Sequence, residues 1–381
     1  MRLPNVKDLP VTGKKVLLRT NYDVSLKKIQ SSCLSGRQAK FKIQNWVVED
    51  ATRIEESLET IKYLLENGAK IIAISHLGRP EGKRVSELSL EPVAKLISNF
   101  QFPNSNKIPI SNFQTGKFNG WKINDRLILL ENLRFWPEEE ENNLDFAREL
   151  ASLADFYVNE AFACSHREHA SVVGVPKFFS PLPAGGRAFG FDFLKEIEIL
   201  SKIREKPVRP VVLLLGGVKE DKIDYAKKLA AWADWILVGG KLVEYDGIPQ
   251  LAKHPKILAH LIKSGQDITM ETVKKFKEIV LQGRTIVWAG PMGNFYDKRY
   301  ERGTKEIAQA VVESGAFSVV GGGDTEVALS RFGLDKKISF ISSGGGAMLE
   351  FLAEGTLPGI EAIKSSNVRK SNVQNKSKTK N

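Results

Sequence analysis

The segment Ser318-Val319-Val320-Gly321-Gly322-Gly323-Asp324-Thr325 decides the fold class. Its β-branched run reads as a strand, its glycines as a tight turn, and the residues that follow as the first turn of a helix. A strand that feeds a helix through glycine presents backbone N–H groups and a positive dipole end to anions. Asp324 and Thr325 then stand at a helix N-terminus, where Asp324 either caps the helix or holds the Mg²⁺ that accompanies a nucleotide. A second triplet, Gly344-Gly345-Gly346, again follows a strand and precedes a helix. Neither triplet fits G-x-G-x-x-G, because position 326 is Glu and the second triplet continues as Ala347-Met348-Leu349, and no Walker motif occurs. A nicotinamide dehydrogenase and a P-loop enzyme are both disfavoured.

Working outward, short apolar runs alternate with stretches of helical period in both halves, the mark of α/β architecture with parallel sheets covered by helices. The expected strands are Val16–Asn21, Ile71–Ser75, Leu127–Leu130 and Phe156–Asn159, then Pro210–Leu215, Trp235–Val238, Thr285–Trp288, Ala316–Val320 and Ile338–Ile341. Helices are expected at Thr52–Glu66, Leu90–Asn99 and Asp145–Ala154, then Lys222–Ala231, Thr269–Leu281, Lys305–Glu313, Thr325–Phe332 and Ala347–Ala353. Between the halves, Phe178–Phe193 is dense in Pro, Gly and Phe and breaks both periodicities. The expected division is a first domain over 1–183 with a basic insertion at 27–46, a hinge at 184–199, a second domain over 200–363 and a disordered basic tail at 364–381.

The net charge of +11 invites a nucleic-acid or membrane partner, so its location matters. Lys27, Lys28, Arg37, Lys40 and Lys42 lie in Lys27–Trp46 without an acid, and Arg369, Lys370, Lys376, Lys378 and Lys380 lie in Ser365–Asn381 without one. Those two appendages carry nearly all of the excess and leave a body near neutrality. No specific nucleic-acid face is expected. The two cysteines, Cys33 and Cys164, give no disulfide framework. With no apolar leader and no run of about 20 apolar residues, a cytoplasmic protein without a membrane partner is expected.

The two halves carry different anion chemistry. In the first, Arg19, Arg53, Arg79, Arg134 and Arg167 are candidates for an anionic pocket, four of them at or just after expected strand ends. Each guanidinium offers a fork matched to phosphate or carboxylate. In the second half stand Gly216-Gly217, Gly239-Gly240 and the two triplets, with Lys219 and Lys222 after the first pair. A lysine there either reaches phosphoryl oxygens or merely opens an amphipathic helix. Cys164, His166 and His169 lack a fourth ligand at zinc spacing, so a metal site there is disfavoured. A small acidic substrate on one half and a nucleotide on the other, meeting across a cleft, is the expectation.

Several long motifs then carry a resemblance: Ser75–Pro80, Glu131–Phe135, Asn159–Ser171 (NEAFACSHREHAS), Leu215–Ile223 (LGGVKEDKI), Val287–Gly293 (VWAGPMG), Phe317–Thr325 and Ser342–Phe351 (SSGGGAMLEF). From about Val16 to Ile363 the chain resembles phosphoglycerate kinase. The resemblance implies two Rossmann-like three-layer domains joined by a hinge, and reversible phosphoryl transfer between 1,3-bisphosphoglycerate and ADP. It implies 3-phosphoglycerate on the first domain, held by Asn21, Tyr22, Asp23, Arg53, His76, Leu77, Gly78, Arg79, Arg134, Arg167 and His169. It implies MgADP or MgATP on the second, at Gly216, Gly217, Lys219, Lys222, Gly239, Gly240, Pro291, Tyr296, Gly322, Gly323, Asp324 and Thr325. Arg53, Lys219 and Gly345 would be catalytic, Asp324 would serve Mg²⁺, and the protein would be a monomer.

Departures from the family pattern accompany it. Asn21-Tyr22-Asp23 exchanges the amide and carboxylate of the usual pair, Ala289 replaces an Asn, and Tyr296 replaces the Glu that meets the ribose. The lysine loop is one residue shorter and Glu244–Gly283 is abbreviated. Two other readings stay open here: a nonenzymatic descendant that keeps the fold, and a basic nucleic-acid binder acting through its appendages.

Overall fold

A computed structural model describes residues 2–30, 44–103, 105–180, 185–245 and 256–365. The chain divides into two units, one of Met1–Ala161, Arg167–Lys195 and Pro358–Asn381, the other of Phe162–His166 and Glu196–Leu357.

The first unit is built on β1 (Lys15–Arg19), β4 (Lys70–Ile74), β5 (Lys107–Thr115), β6 (Phe118–Asn124), β7 (Leu127–Leu130), β8 (Phe156–Asn159) and β9 (Arg187–Phe189), with a separate ribbon of β2 (Leu26–Gln30) and β3 (Gln44–Val48). The sheet order is β5-β6-β7-β4-β1-β8-β9. Val16, Leu17 and Leu18 of the central strand are fully buried, so consecutive residues face apolar surroundings on both sides of the sheet. Helix residues Ile61, Leu64 and Leu65, and Val93, Ala94 and Ile97, pack with Val16 and Leu18 in one core. The sheet is mixed rather than wholly parallel as expected: β6 runs antiparallel to both β5 and β7. Two neighbours in sequence can pair antiparallel through the short turn at Gly116, which has φ +54°.

The second unit carries β10 (Val211–Leu215), β11 (Trp235–Val238), β12 (Lys256–Leu258), β13 (Thr285–Ala289), β14 (Phe317–Gly321) and β15 (Phe340–Ser342). Their order is β12-β11-β10-β13-β14-β15, all parallel. Val212, Leu214, Ile286, Trp288 and Val320 meet Phe276, Val280, Ile307 and Val311 of the covering helices. Order of this kind places the carboxyl ends of β10, β13 and β14 side by side, where the glycine turns emerge.

At four places the structure adds to the expectation. The helix expected over Thr52–Glu66 is two, Thr52–Glu56 and Leu58–Glu66, broken at Ser57, whose hydroxyl donates back to Ile54 O at 2.7 Å. The stretch Phe178–Phe193 is not a bare junction, because β9 within it extends the first sheet beside β8. The segment 184–199, expected as the hinge, holds β9 and opens the helix Phe191–Glu205, along which the chain passes from the first unit to the second. Residues 358–363, within the expected second domain, fall in a helix, Pro358–Lys364, that groups with the first unit and packs on Ala170–Gly174, burying Ile360 and Ile363. Of the insertion at 27–46, only the paired arms are described; residues 31–43 and the tail beyond Ser365 lie outside the described residues.

Candidate active site

In the first unit, the carboxyl ends of β1 and β4 deliver Asn21, Asp23 and His76 to one place. Ser75 stitches the two ends together, accepting from Tyr22 N at 2.8 Å and donating to Thr20 O at 2.9 Å. Asp23 accepts from Gly78 N at 2.8 Å, and its other oxygen lies 3.9 Å from His76 Nε2. Gly78 has φ +61°, a conformation that costs little only without a Cβ. Arg134 donates to Gly78 O at 2.7 Å and contacts Glu140 at 3.2 Å. Arg53 is half-buried and donates to the carbonyl of Asp23. Asn21 is 6% exposed, and its buried Nδ2 makes no hydrogen bond. A buried amide without an acceptor is costly unless a ligand supplies one.

The field at this place is positive. His76 is held well below the ordinary imidazole value, first by burial, then by Arg134, Arg19, His169 and Arg167. His169 is buried, Arg167 half-buried and Arg79 exposed. Three expected ligand residues point elsewhere. Tyr22 is fully buried in the core with its hydroxyl 3.0 Å from Ser57 Oγ, and burial pushes that phenol up to about 12. Leu77 joins the same core and contributes only its backbone, held by Asn132. Arg19 is also fully buried, donating to Ser171 and Thr20, with Nη2 against His76. An alternating strand sends neighbouring side chains to opposite faces, so a run of motif residues cannot all reach one ligand.

In the second unit, glycine permits backbone to approach backbone. A Cβ on Gly240, which has φ +58°, would lie 2.6 Å from Gly217 N, and one on Gly345 would lie 2.9 Å from Gly321 O and Gly322 N. The glycine turns before the helices Gly323–Arg331 and Gly345–Glu354 therefore touch, and two helix N-termini stand together. Gly216 N donates to Ala289 O, Gly217 N to Pro291 O, Gly239 N to Leu215 O and Gly240 N to Met292 O, so these turns form one hydrogen-bonded rim.

Lys222 opens its helix with Nζ 2.7 Å from Gly216 O and 3.1 Å from Ala289 O. Burial first, and Lys219 second, lower its ammonium to about 8. Lys219 is exposed beside it. Asp324 does not cap its helix: Gly322 occupies the cap position, with φ +105° and no side-chain cap bond. The exposed carboxylate instead accepts from Tyr296 Oη at 3.1 Å. Thr325, expected at the ligand, is buried and accepts from Gly290 N at 2.9 Å, which makes it a tie between turns.

Among the described residues, no group of three or more His, Cys, Asp or Glu is arranged to hold a metal. One exposed carboxylate beside two helix N-termini does fit Mg²⁺ that arrives with nucleotide phosphates, since that ion keeps waters and takes few protein ligands. Residues that sequence reasoning left without a role include Asn132, Glu139 and Ser171. All three are fully buried and brace the site from behind. Glu139 and Ser171 lie 32 residues apart, so no local pattern marks the pair.

The family model described as phosphoglycerate kinase matches residues 6–245 and 252–355. The phosphoglycerate kinase of Finegoldia magna is 38% identical over 420 residues, covering 95% of this chain and 99% of that one. The solved phosphoglycerate kinase of Coxiella burnetii has a TM-score of 0.71 at 29% identity, covering 95% of this chain and 99% of its own. That of Pyrococcus horikoshii has a TM-score of 0.73 at 25% identity, covering 95% and 98%. With likeness of this extent in sequence, and two Rossmann-like units in the fold, this chain belongs to the phosphoglycerate kinase family.

Proposed function

We propose that the chain runs the reaction of its family through the residues described above: reversible phosphoryl transfer from 1,3-bisphosphoglycerate to MgADP, giving 3-phosphoglycerate and MgATP in glycolysis. The phosphorus–oxygen bond to the acyl carboxylate breaks as a bond forms to a β-phosphate oxygen of ADP, leaving a carboxylate. No protein nucleophile is required, so positioning and charge stabilisation carry the rate.

The glycerate ligand belongs to the first unit. Arg79, Arg134, Arg167 and His169 supply positive charge and donors, neutral His76 supplies an N–H, and Asn21 Nδ2 gains the acceptor it lacks. Asp23 accepts from the substrate hydroxyl, so the exchanged pair still offers one carboxylate and one amide. The nucleotide belongs to the second unit, its phosphates against the glycine turns, Lys219 and Lys222. Mg²⁺ held through Asp324 neutralises the phosphate oxygens when bound. Arg53 clamps the charge that develops on the transferring group, and Gly345 N–H faces it. Transfer requires the two ligands to meet, which calls for closure about the helix Phe191–Glu205, and closure excludes the water that would hydrolyse the acyl phosphate.

The observation that carries this reading is the separation of chemistries: side-chain donors converge in one unit, while paired helix N-termini touch through glycine in the other. The test is a coupled assay with 3-phosphoglycerate, MgATP, glyceraldehyde-3-phosphate dehydrogenase and NADH. Oxidation that depends on all components is expected, and its absence with folded protein refutes the reading.

A further inference from the structure

Behind the imidazole of His76 lies a buried chain of side chains. Glu139 accepts from Ser171 twice, from N at 2.9 Å and from Oγ at 2.5 Å. Ser171 Oγ accepts from Arg19 Nε at 2.8 Å, and Arg19 Nη2 lies 3.1 Å from His76 Nδ1. Glu139, Ser171 and Arg19 are all fully buried. Their elements are far apart in sequence, with Arg19 at the end of β1 and Ser171 152 residues later.

A guanidinium carries donors and no acceptor, so His76 Nδ1 must present its lone pair to Arg19. A neutral ring then carries its single proton on Nε2. That nitrogen is the one beside Asp23, 3.9 Å from Oδ2. We infer that Arg19 is a positioning residue, which fixes His76 as a neutral Nε2–H donor toward the glycerate ligand. The inference deepens the proposed function and rests on the first unit being the 3-phosphoglycerate site.

The surroundings agree. The groups that face His76 are Arg19 from β1, Arg134 from the turn after β7, Arg167 and His169 from the segment before Ala170, and Asp23 beyond β1. The first four oppose a charged ring. Asp23 alone among them favours it, and its carboxylate is 39% exposed, 3.9 Å away and bonded to Gly78 N. Arg19 therefore does not touch the ligand. It acts through His76, whose donor then stays in place without titrating while ligand charge is met by Arg79, Arg134 and Arg167.

The full-length chain, labelled with ¹⁵N in its histidine rings, is followed by two-bond ¹H–¹⁵N correlation between about pH 5.5 and 8.5, with His76→Gln assigning the signal. A neutral Nε2–H ring across that range is expected in the wild type. An imidazolium forming near pH 6.5, or an Nδ1–H tautomer, overturns the inference. In Arg19→Met the ring is expected to titrate or change tautomer, and KM for 3-phosphoglycerate to rise about tenfold while kcat changes less than about twofold. Arg19→Lys, which keeps a donor to Nδ1, is expected to restore the tautomer and part of the KM. Unchanged ring signals and KM in folded Arg19→Met also overturn it. Should Arg19→Met fail to fold, the wild-type spectrum decides by itself. The spectrum needs no turnover, so an inactive protein with the stated tautomer refutes the kinase reading and leaves the role of Arg19 standing.

Discussion

Nucleotide binding at alkaline pH should draw a proton onto Lys222. In the free chain its ammonium sits between two backbone carbonyls, Gly216 O and Ala289 O, and is lowered to about 8 by burial and by Lys219. At pH 8.5 about three quarters of the chains therefore hold Lys222 without its proton, against about a tenth at pH 7. Phosphate oxygens placed beside Nζ favour the ammonium and raise its pKa. Binding of MgADP at pH 8.5 should then take up about 0.7 proton, and about 0.1 at pH 7. The assay is calorimetric titration in buffers of different ionisation enthalpy, where the slope of the observed heat gives the protons exchanged. Lys222→Met should abolish the uptake and weaken binding. Equal slopes in wild type and Lys222→Met at pH 8.5, or no uptake in a wild type that binds, would refute the coupling of a lowered Lys222 pKa to phosphate binding. The same shift has a stability consequence. A lysine whose folded pKa is lowered penalises folding below about pH 8, and the penalty fades as pH rises toward the ordinary value of 10.5.

Three further outcomes are expected. Arg53→Ala should lower kcat by about 10³-fold or more, as loss of a transition-state charge clamp does, with KM for either substrate changed far less; near-normal turnover would remove Arg53 from the chemistry. Gly240→Ala combines φ +58° with a Cβ 2.6 Å from Gly217 N, so it should destabilise the second unit by about 2–4 kcal/mol in denaturant titration and raise KM for ATP. Glu160 is a buried acid raised to about 8, chiefly by desolvation, and it accepts from Thr60 Oγ1 and Asp192 N at the start of the helix Phe191–Glu205. Its raised pKa gives stability that is whole below about pH 4.5 and lost as pH rises toward 8, so Glu160→Gln should raise the melting temperature at pH 8 relative to pH 5 and flatten the pH dependence.

The central strands were legible because their sequences are runs of β-branched and leucine residues, the pattern of a strand buried on both faces. Lys107–Thr115 and Phe118–Asn124 were not, since KIPISNFQT and FNGWKIN mix polar residues, Pro and Gly at the rim of the sheet. β9 escaped because its three residues follow the Pro- and Gly-rich run, and its identity as a strand depends on β8 beside it. At the site, Arg19 and Arg134 read alike in sequence, as arginines near strand ends. One is locked behind His76 and the other reaches Gly78, a difference made by partners up to 152 residues away. The choice between cap and ligand at Asp324 is likewise beyond local pattern, because only the backbone places Gly322 at the cap. In sequence Tyr296 stands where the family has a carboxylate, while its bond to Asp324 depends on the turn that brings it there.

The assignment of one ligand to each unit is tested most directly by measuring both affinities in two double variants. Arg79→Ala with Arg167→Ala changes only the first unit, and Lys219→Ala with Asp324→Asn only the second. With each charge-assisted contact worth about 1.5–3 kcal/mol, the first variant should weaken 3-phosphoglycerate at least about tenfold and leave MgADP within about twofold; the second should do the reverse. If either folded variant loses both ligands equally, or loses the ligand assigned to the other unit, the assignment is wrong.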